Sequence, residues 1–347
     1  MKKFITTIMA CMLLALMALP VMAQEETRTA DSYLMYDIWG HWAEDELDDL
    51  VNADIIKGYQ DADGDYYLNP GGKITRAQFA AITVRALGLE ATGEGKVFSD
   101  ISAHGLKNEI QIASDHGIAR GREDGTYNPN APITRDQLAT MIVRAFNDTI
   151  EFTGTAKEFT DVSSDYWAAL EITEASRVGV IRGDEKNHFR PREQASRAHA
   201  AVMIHRALQL EQSNTPSDAD LTSFVLNSET ESFPLFASSD TNGLLAHNAK
   251  YYTGYQKASA DEMVEWFFED STTQEMAFTN EPTLTVLSKS NRYAKVELDG
   301  ELSLSYTDSS TNFSTVMPYT STYYVKNVDG EWKVYYTDIP FELDDLE

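Results

Sequence analysis

The sequence predicts a multidomain protein in which an all-α array of three repeats precedes a small α+β domain. One helix start occurs three times, as ITRAQFAAITVRAL (74–87), ITRDQLATMIVRAF (133–146) and ASRAHAAVMIHRAL (195–208). A glycine marks the middle of each copy, and Gly58, Gly121 and Gly183 lie 63 and 62 residues apart. Beyond residue 220, helix-like segments give way to strand-like runs, a pattern typical of α+β domains.

The N-terminus has the features of a secretory signal peptide. Lys2 and Lys3 precede an apolar run that ends near Pro20, and small residues precede Gln24. We therefore expect residues 1–23 to be removed, with an uncleaved membrane anchor as the alternative. The single cysteine, Cys11, lies in this run, so the expected mature chain has no disulfide and no cysteine-based metal site.

The charge of the chain excludes two classes of partner. The formal net charge is -27, and such a field repels nucleic acid and anionic lipid at long range. We expect neither nucleic-acid binding nor membrane insertion. An anionic ligand would have to be held at short range by local arginines.

Each repeat is predicted to fold as helix, loop, helix. The first helix ends in ADIIKG, HGIARG or VGVIRG, where a base precedes the glycine. A cation complements the helix dipole and glycine accepts a left-handed backbone, so this pattern predicts the helix stop. The second helix opens at an N-cap residue, namely Thr75, Thr134 and Ser196. Gln78 and Gln137 complete capping boxes, and the third copy has His199 there.

An arginine in the first turn of every second helix is not explained by capping. Arg76, Arg135 and Arg197 oppose the helix dipole, which costs about 0.3–1 kcal/mol each. One explanation is an ion pair with the acid that begins each copy, Asp37, Asp100 or Asp161. The other is that arginine and helix N-terminus together bind an anion, since free amide donors already favour one there.

The complete repeat resembles an S-layer homology domain. The first copy shows the leading acid, HWA (41–43), IIKGY (55–59), LNP (68–70) and ITRAQFAAITVRALGL (74–89). The resemblance covers three tandem copies at 36–93, 94–155 and 156–210, after an N-terminal segment at 24–35. It implies a pseudo-threefold helical trimer whose inter-repeat grooves bind an anionic, often pyruvylated, cell-wall polysaccharide.

The resemblance also implies which residues bind the polysaccharide. The family's groove arginine falls on Arg76, Arg135 and Arg197, and its groove glycine on Gly58, Gly121 and Gly183. Its early tryptophan falls on Trp42 and Trp167, and the leading acids Asp37, Asp100 and Asp161 complete the candidate set. Gly105 replaces the tryptophan in copy two, so we expect that groove to bind least well. A tryptophan face can stack on a sugar ring, with core packing as the alternative.

Other motifs give no further site. DADGD (61–65) resembles the start of a calcium loop, but Tyr66 and Gly72 stand where such a loop needs glycine and glutamate. A solvated turn is therefore favoured over a weak calcium site. The histidines lack the spacing of zinc ligands, and no catalytic motif is present, so we expect no metal, no cofactor and no catalytic residue.

The second half has no assignable ligand. Residues 211–220 are predicted as a linker and 221–347 as an α+β domain with a hairpin turn at Asp329-Gly330. The ending VDGEWKVYYTD is similar to the last hairpin of NTF2-like folds. We expect a non-enzymatic cell-wall anchor whose partner is an anionic wall polysaccharide or peptidoglycan-linked polymer, with surface-layer proteins as further candidates. The alternatives are an envelope enzyme active in 221–347 and a helical scaffold for proteins.

Overall fold

The computed structural model describes residues 28–267, 273–307 and 312–339. The predicted signal peptide, 1–23, lies outside these residues. A 3-10 helix (Ala30–Tyr33) precedes the repeats. The repeat helices form consecutive pairs: α1 (Glu44–Asn52) and α2 (Arg76–Leu87), α3 (Lys107–Asp115) and α4 (Arg135–Phe146), α5 (Ala169–Arg177) and α6 (Arg197–Gln209). The first repeat adds a short hairpin of β1 (Tyr59–Gln60) and β2 (Tyr66–Tyr67).

The second helices begin where their N-cap residues predict. Thr75 and Ser196 accept hydrogen bonds from the third residue of the following helix, and Gln78 completes the box at Thr75. Gln137 Oε1 likewise accepts from the Thr134 N–H at 3.4 Å. These bonds satisfy amide donors that the first helical turn leaves open, so the sequence prediction of these boundaries is confirmed.

The first helices stop earlier than the base-glycine pattern predicts. The left-handed residues are Asp54, Gly117 and Gly179, with φ of 60°, 69° and 75°, each four positions before the glycine of the pattern. Ile118 N–H then donates back to Ala113 O at 2.9 Å, which closes the helix end. The prediction that the base and the following glycine terminate these helices was therefore wrong. That glycine must have another role.

Short backbone bridges join the repeats in a closed cycle. Each bridge connects a second-helix start to a loop of another repeat: Thr75 with Pro132, Thr134 with Gln194, and Lys73 with Ser196. The helices follow the same order, since α2 packs against α3, α4 against α5 and α6 against α1. The three second helices also contact one another, and one continuous apolar core runs through all three repeats.

Helices followed by an antiparallel sheet make up the C-terminal region. Its helices are α7 (Asp218–Thr230), α8 (Phe233–Ala237), α9 (Thr241–Tyr251) and α10 (Gly254–Phe267). Its strands are β3 (Thr273–Phe278), β4 (Thr283–Lys289), β5 (Tyr293–Thr307), β6 (Asn312–Val328) and β7 (Glu331–Asp338). The strand order is β3-β5-β6-β7, and β4 also pairs with β5. Asp329 and Gly330, both with positive φ, form the predicted turn between β6 and β7.

The segment predicted as a linker is fixed against both halves of the protein. Glu211 is fully buried and forms an ion pair with Arg292, the residue before β5. Arg292 Nε also donates to Leu87 O at 3.2 Å. Helix α7 already begins at Asp218, within the predicted linker. A second contact joins the halves where Asp49 of α1 accepts from the Tyr335 hydroxyl of β7 at 2.6 Å. The C-terminal domain is therefore docked on the repeats rather than tethered to them.

Candidate binding clefts between the repeats

The three first-turn arginines reach from one repeat into another. Each Nε donates to a backbone carbonyl of the neighbouring loop: Arg76 to Tyr127 at 2.9 Å, Arg135 to Phe189 at 2.7 Å, and Arg197 to Leu68 at 2.8 Å. Each guanidinium also lies over an aromatic ring, 4.4 to 4.9 Å from its centroid. All three arginines therefore help to join the repeats, but their surroundings differ.

Arg197 is enclosed by protein. It is only 4% exposed, and its terminal nitrogens donate to the Tyr59 hydroxyl at 3.1 Å and to Lys57 O at 3.0 Å. The same hydroxyl accepts from Gln78 Nε2 at 2.8 Å, so the Tyr59 side chain occupies this groove. Burial lowers the pKa of Arg197, although a guanidinium stays charged at any physiological pH. In the order of the repeats, the tryptophan of this groove would come from copy two, which has Gly105 at that position.

Arg76 is partly engaged. Its terminal nitrogens lie 3.3 Å from Gln137 Oε1 and 3.5 Å from Arg120 O. The same groove contains the buried carboxylate of Asp136, which accepts from Trp167 Nε1 at 3.1 Å and from the Tyr166 hydroxyl at 2.6 Å. The indole N–H of Trp167 is thus already paired with protein. Asp136 directly precedes Gln137, the residue that Arg76 contacts, and its negative charge makes this groove less favourable to an anion.

Arg135 faces open space. Within the described part of the chain, no hydrogen bond holds its two terminal nitrogens. Its side chain lines two adjoining clefts of about 380 and 510 Å³. Trp42 of the first repeat and Gly183 and His199 of the third line the same two clefts. All three repeats therefore contribute to one concave surface, defined by these four residues, which we call the Arg135 cleft.

The leading acids hold loops. Each carboxylate accepts two consecutive backbone N–H groups at 2.6 to 2.8 Å: Asp37 from Leu68 and Asn69, Asp100 from Tyr127 and Asn128, and Asp161 from Phe189 and Arg190. Partial desolvation opposes ionisation of Asp100, but these bonds outweigh it and lower its pKa. No ion pair joins these acids to the three arginines within the described ranges. We assign the acids a structural role instead of a place in the binding surface.

The mid-repeat glycines admit a neighbouring side chain. A Cβ atom at Gly58 would lie 2.5 Å from Met35 Sδ, and one at Gly121 would lie 2.3 Å from a ring carbon of Phe98. At Gly183 the same atom would meet Phe159 at 2.5 Å. These distances are too short for a contact with a carbon atom. Each repeat therefore needs glycine at this position, because the side chain of Met35, Phe98 or Phe159 packs against it. Gly183 in addition lines the Arg135 cleft.

The two candidate tryptophans are on the surface. Trp42 is 60% and Trp167 57% exposed, so the core-packing alternative was wrong for both. The ring of Trp42 lies 5.4 Å from the His199 ring across the Arg135 cleft. Sequence reasoning noted His199 only as a missing glutamine, and it missed Tyr59 and Asp136 as groove residues. The only sequence feature that could have identified these three residues as groove residues was their position within or beside the repeated motifs.

Metal and membrane features are limited in the described ranges. Asp61 Oδ1 accepts the N–H groups of Asp63 and Asp65 at 3.0 Å, which makes DADGD a hydrogen-bonded turn. No group of acidic, histidine or cysteine side chains among the described residues could hold a metal ion. Nor does any helix there have the length and apolar character needed to cross a bilayer.

The C-terminal domain contains a cluster of buried polar groups. Glu229 of α7 lies beside the hydroxyls of Tyr319 and Tyr323 on β6, which are 3.2 Å apart. Burial raises the pKa of Glu229, and the two phenol groups only partly offset this. His247 is also buried, with Nε2 2.9 Å from Ser228 O. Sequence reasoning had not singled out Glu229, although it follows Leu221 and Val225 at four-residue spacing, on the buried face of α7.

Comparisons with known proteins concern mainly the repeats. Residues 35–80, 97–139 and 158–201 each match the S-layer homology domain family. The chain is 33% identical over 173 residues to a surface-layer 125 kDa protein of Lysinibacillus sphaericus, covering 48% of this chain and 14% of that protein. It is 28% identical over 169 residues to a cellulosome-anchoring protein of Acetivibrio thermocellus, with shares of 46% and 36%. An amylopullulanase of Thermoanaerobacterium thermosulfurigenes is 30% identical over 179 residues, with shares of 50% and 9%. The chain thus spans a minor part of these relatives.

Solved structures resemble a shorter part of the chain. The intermembrane space region of the chloroplast protein ARC6 has a TM-score of 0.31 at 15% identity, covering 36% of this chain and 96% of that one. An NTF2-like superfamily protein from Salmonella enterica has a TM-score of 0.26 at 9% identity, with shares of 37% and 96%. Both scores are too low to support an argument about function.

Proposed function

We propose that this protein is anchored at the bacterial cell surface by binding an anionic cell-wall polysaccharide. Three matches to the S-layer homology domain family in its N-terminal half support this proposal. Attachment is non-covalent and requires no catalysis. The repeats supply the binding surface, and the C-terminal domain is the part that they display.

The Arg135 cleft is the observation that carries this proposal. It combines a guanidinium whose two terminal nitrogens have no hydrogen bond among the described residues, an exposed indole face and Gly183 in one concave surface. A guanidinium can hold a carboxylate or phosphate through two parallel hydrogen bonds. An indole face can lie against the apolar face of a sugar ring. Together these groups fit an acidic sugar of a wall polymer, such as one that carries a pyruvyl group.

The repeats in this proposal form a pseudo-threefold trimer with unequal grooves. The cyclic backbone bridges and the cyclic order of helix contacts support this arrangement. Tyr59 occupies the groove of Arg197, and Asp136 places a negative charge in the groove of Arg76. The Arg135 cleft is therefore the principal binding site. Attachment then depends on one good groove rather than on the avidity of three.

The C-terminal domain is held in a fixed orientation on the anchor. Contacts of Arg292 with Glu211 and Leu87, and of Tyr335 with Asp49, support this. They connect the residue before β5, and β7 itself, to the repeats and the segment that follows them through buried or half-buried groups. Such an arrangement suits a domain that presents one face to another surface component, and surface-layer proteins are candidate partners. We assign it no catalytic residue.

Co-sedimentation with purified cell walls tests the proposal. The expected mature chain, 24–347, should sediment with intact walls and remain soluble once the accessory polysaccharide has been stripped from them. Arg135→Ala should abolish most of this binding, whereas Lys107→Ala, an exposed change remote from the clefts, should not. Equal binding to stripped walls, or full binding by the Arg135 variant, would contradict the proposed function.

A further inference from the structure

The third repeat departs from the other two at one position of the Arg135 cleft. Gln78 and Gln137 direct their side-chain oxygens back to the N-cap amide, at 3.0 and 3.4 Å. His199 occupies this position in α6 and cannot repeat that contact. Its Nδ1 instead lies 2.7 Å from the Ser196 hydroxyl, which itself accepts the His199 N–H at 3.2 Å. The hydroxyl therefore has its own hydrogen free to donate to Nδ1.

We assign the Ser196 hydroxyl as the donor in this bond, and that assignment fixes the tautomer of the neutral ring. When the Ser196 hydroxyl donates to Nδ1, the ring hydrogen must be on Nε2. Nε2 is then the nitrogen available to a molecule in the cleft, and it is a donor. The ring lines both clefts together with Arg135 and lies 5.4 Å from the Trp42 ring. A ligand between the guanidinium and the indole would thus meet His199 as well.

Charged groups from several elements face this ring. Arg135 comes from α4, Lys73 from the loop before α2, and His41 from the loop before α1. The third-repeat loop adds Asp184, His188, Arg190 and Glu193. Arg182 and Arg206 line the adjoining cleft with the same ring. Arg190 pairs with both acids of the third-repeat loop, at 2.9 and 3.3 Å, so one of their two negative charges is compensated and Glu193 partly offsets the cations around the ring. His199 is exposed to the cleft. Partial desolvation by the cleft walls, followed by the charges of Arg135 and Lys73, lowers its pKa.

We propose that His199 contacts the ligand in the Arg135 cleft and takes up a proton when an anionic group of the wall polymer binds. The inference rests on the proposed function and adds a second cation to the site. In the empty cleft the ring is neutral at neutral pH, because an added charge would be repelled by the cations around it. A bound carboxylate or phosphate reverses that balance and favours the imidazolium.

The direction of the pH effect follows from linkage. A pKa that is higher in the complex than in the free protein makes binding tighter as the pH falls through the bound-state value. Each unit by which the bound pKa exceeds the free pKa gives about tenfold tighter binding once the pH is below both. The window lies around and below the ordinary histidine value of about 6.5. Above it, His199 contributes only a neutral N–H donor.

Calorimetric titration with polysaccharide released from purified walls tests the inference. The full mature chain and the variants His199→Gln and His116→Gln are compared at about pH 5.5 and about pH 8, on either side of histidine titration. Glutamine restores the residue type found in the other two repeats, so the variant should fold. His116 is remote from the cleft and bonds to Glu90 O, which makes it a matched histidine control.

We expect the parent and His116→Gln to bind several-fold more tightly at the acidic pH, and His199→Gln to bind with little pH dependence. Titration of the polymer itself would affect all three proteins equally. An NMR titration should show the His199 pKa rising on addition of polysaccharide. An unchanged pH slope in His199→Gln, or a parent without one, would overturn the inference while leaving wall anchoring intact. Absence of binding by the parent at both values would instead refute the proposed function, and the inference with it.

Discussion

Replacing Arg197 with alanine should destabilise the repeats far more than replacing Arg135, although both arginines occupy the same motif position. Arg197 is 4% exposed and donates three hydrogen bonds of 2.8 to 3.1 Å, two of them to backbone carbonyls of the first repeat. Arg135 is half-buried and donates one, to Phe189 O. The change at Arg197 therefore removes three contacts and leaves the carbonyl of the fully buried Leu68 without this donor.

The difference can be estimated from these contacts. A hydrogen bond from a charged group contributes about 1.5 kcal/mol or more, and an acceptor left unpaired in the interior costs about 1–3 kcal/mol. We expect Arg197→Ala to lower the free energy of unfolding by about 3–5 kcal/mol and Arg135→Ala by about 1–2 kcal/mol. Urea denaturation followed by circular dichroism measures both. Binding to cell walls should show the opposite order whenever the proteins are folded.

Two outcomes would refute this reasoning. One is a loss of stability at Arg135 that equals or exceeds the loss at Arg197. The other is a folded Arg197 variant that fails to bind walls while the Arg135 variant binds normally. The first result would mean that enclosure does not decide how much each arginine stabilises the fold. The second would mean that the enclosed arginine is the functional one.

Three further predictions concern other parts of the fold. Gly121→Ala should destabilise the protein by about 1–3 kcal/mol through overpacking against Phe98, and the double variant with Phe98→Leu should recover part of this in the same urea experiment. Tyr335→Phe removes the hydroxyl that donates a hydrogen bond to Asp49. It should therefore accelerate amide hydrogen exchange at the contact between α1 and β7 and leave the exchange rates of α4 unchanged. Burial raises the pKa of Glu229 in the folded state, so its stabilising effect is present below about pH 4.3 and lost as the pH rises through the folded-state pKa. The loss of this effect should lower the melting temperature of the parent as the pH rises from about 4.3 towards neutral, and Glu229→Gln should reduce that fall. A parent whose melting temperature does not fall over this range would contradict the raised pKa of Glu229.

The repeat architecture was predictable because its signals are local. N-caps such as Thr75 and Ser196 act within one helical turn, and the sequence therefore located the second helices correctly. The helix stops were misplaced because Gly58 and Gly121 looked like stop residues. Their actual reason is a contact with Met35 and Phe98, which lie more than twenty residues earlier.

The inequality of the grooves could not be predicted, because it arises from contacts between repeats. Nothing adjacent to Tyr59 in the sequence indicates that its hydroxyl meets Arg197, 138 residues away. The docking of the C-terminal domain was also unpredictable from the sequence, because Glu211 belongs to a polar segment yet is fully buried against Arg292. In the C-terminal domain the turn at Asp329-Gly330 was clear from local chemistry. Strand β3 was missed, because Thr273–Phe278 alternates too weakly to indicate a strand.

A calorimetric comparison of Trp42→Ala with Trp167→Ala tests the central claim most directly. The two tryptophans are similarly exposed and occupy the same motif position, but only Trp42 lines the Arg135 cleft. Loss of an aromatic stacking face of this kind costs about 1–3 kcal/mol, or about five- to 150-fold in affinity. With purified wall polysaccharide, the account predicts that Trp42→Ala loses at least tenfold in affinity and Trp167→Ala stays within about threefold of the parent. Equal losses in both variants, or a larger loss for Trp167→Ala, would contradict a single principal site at the Arg135 cleft.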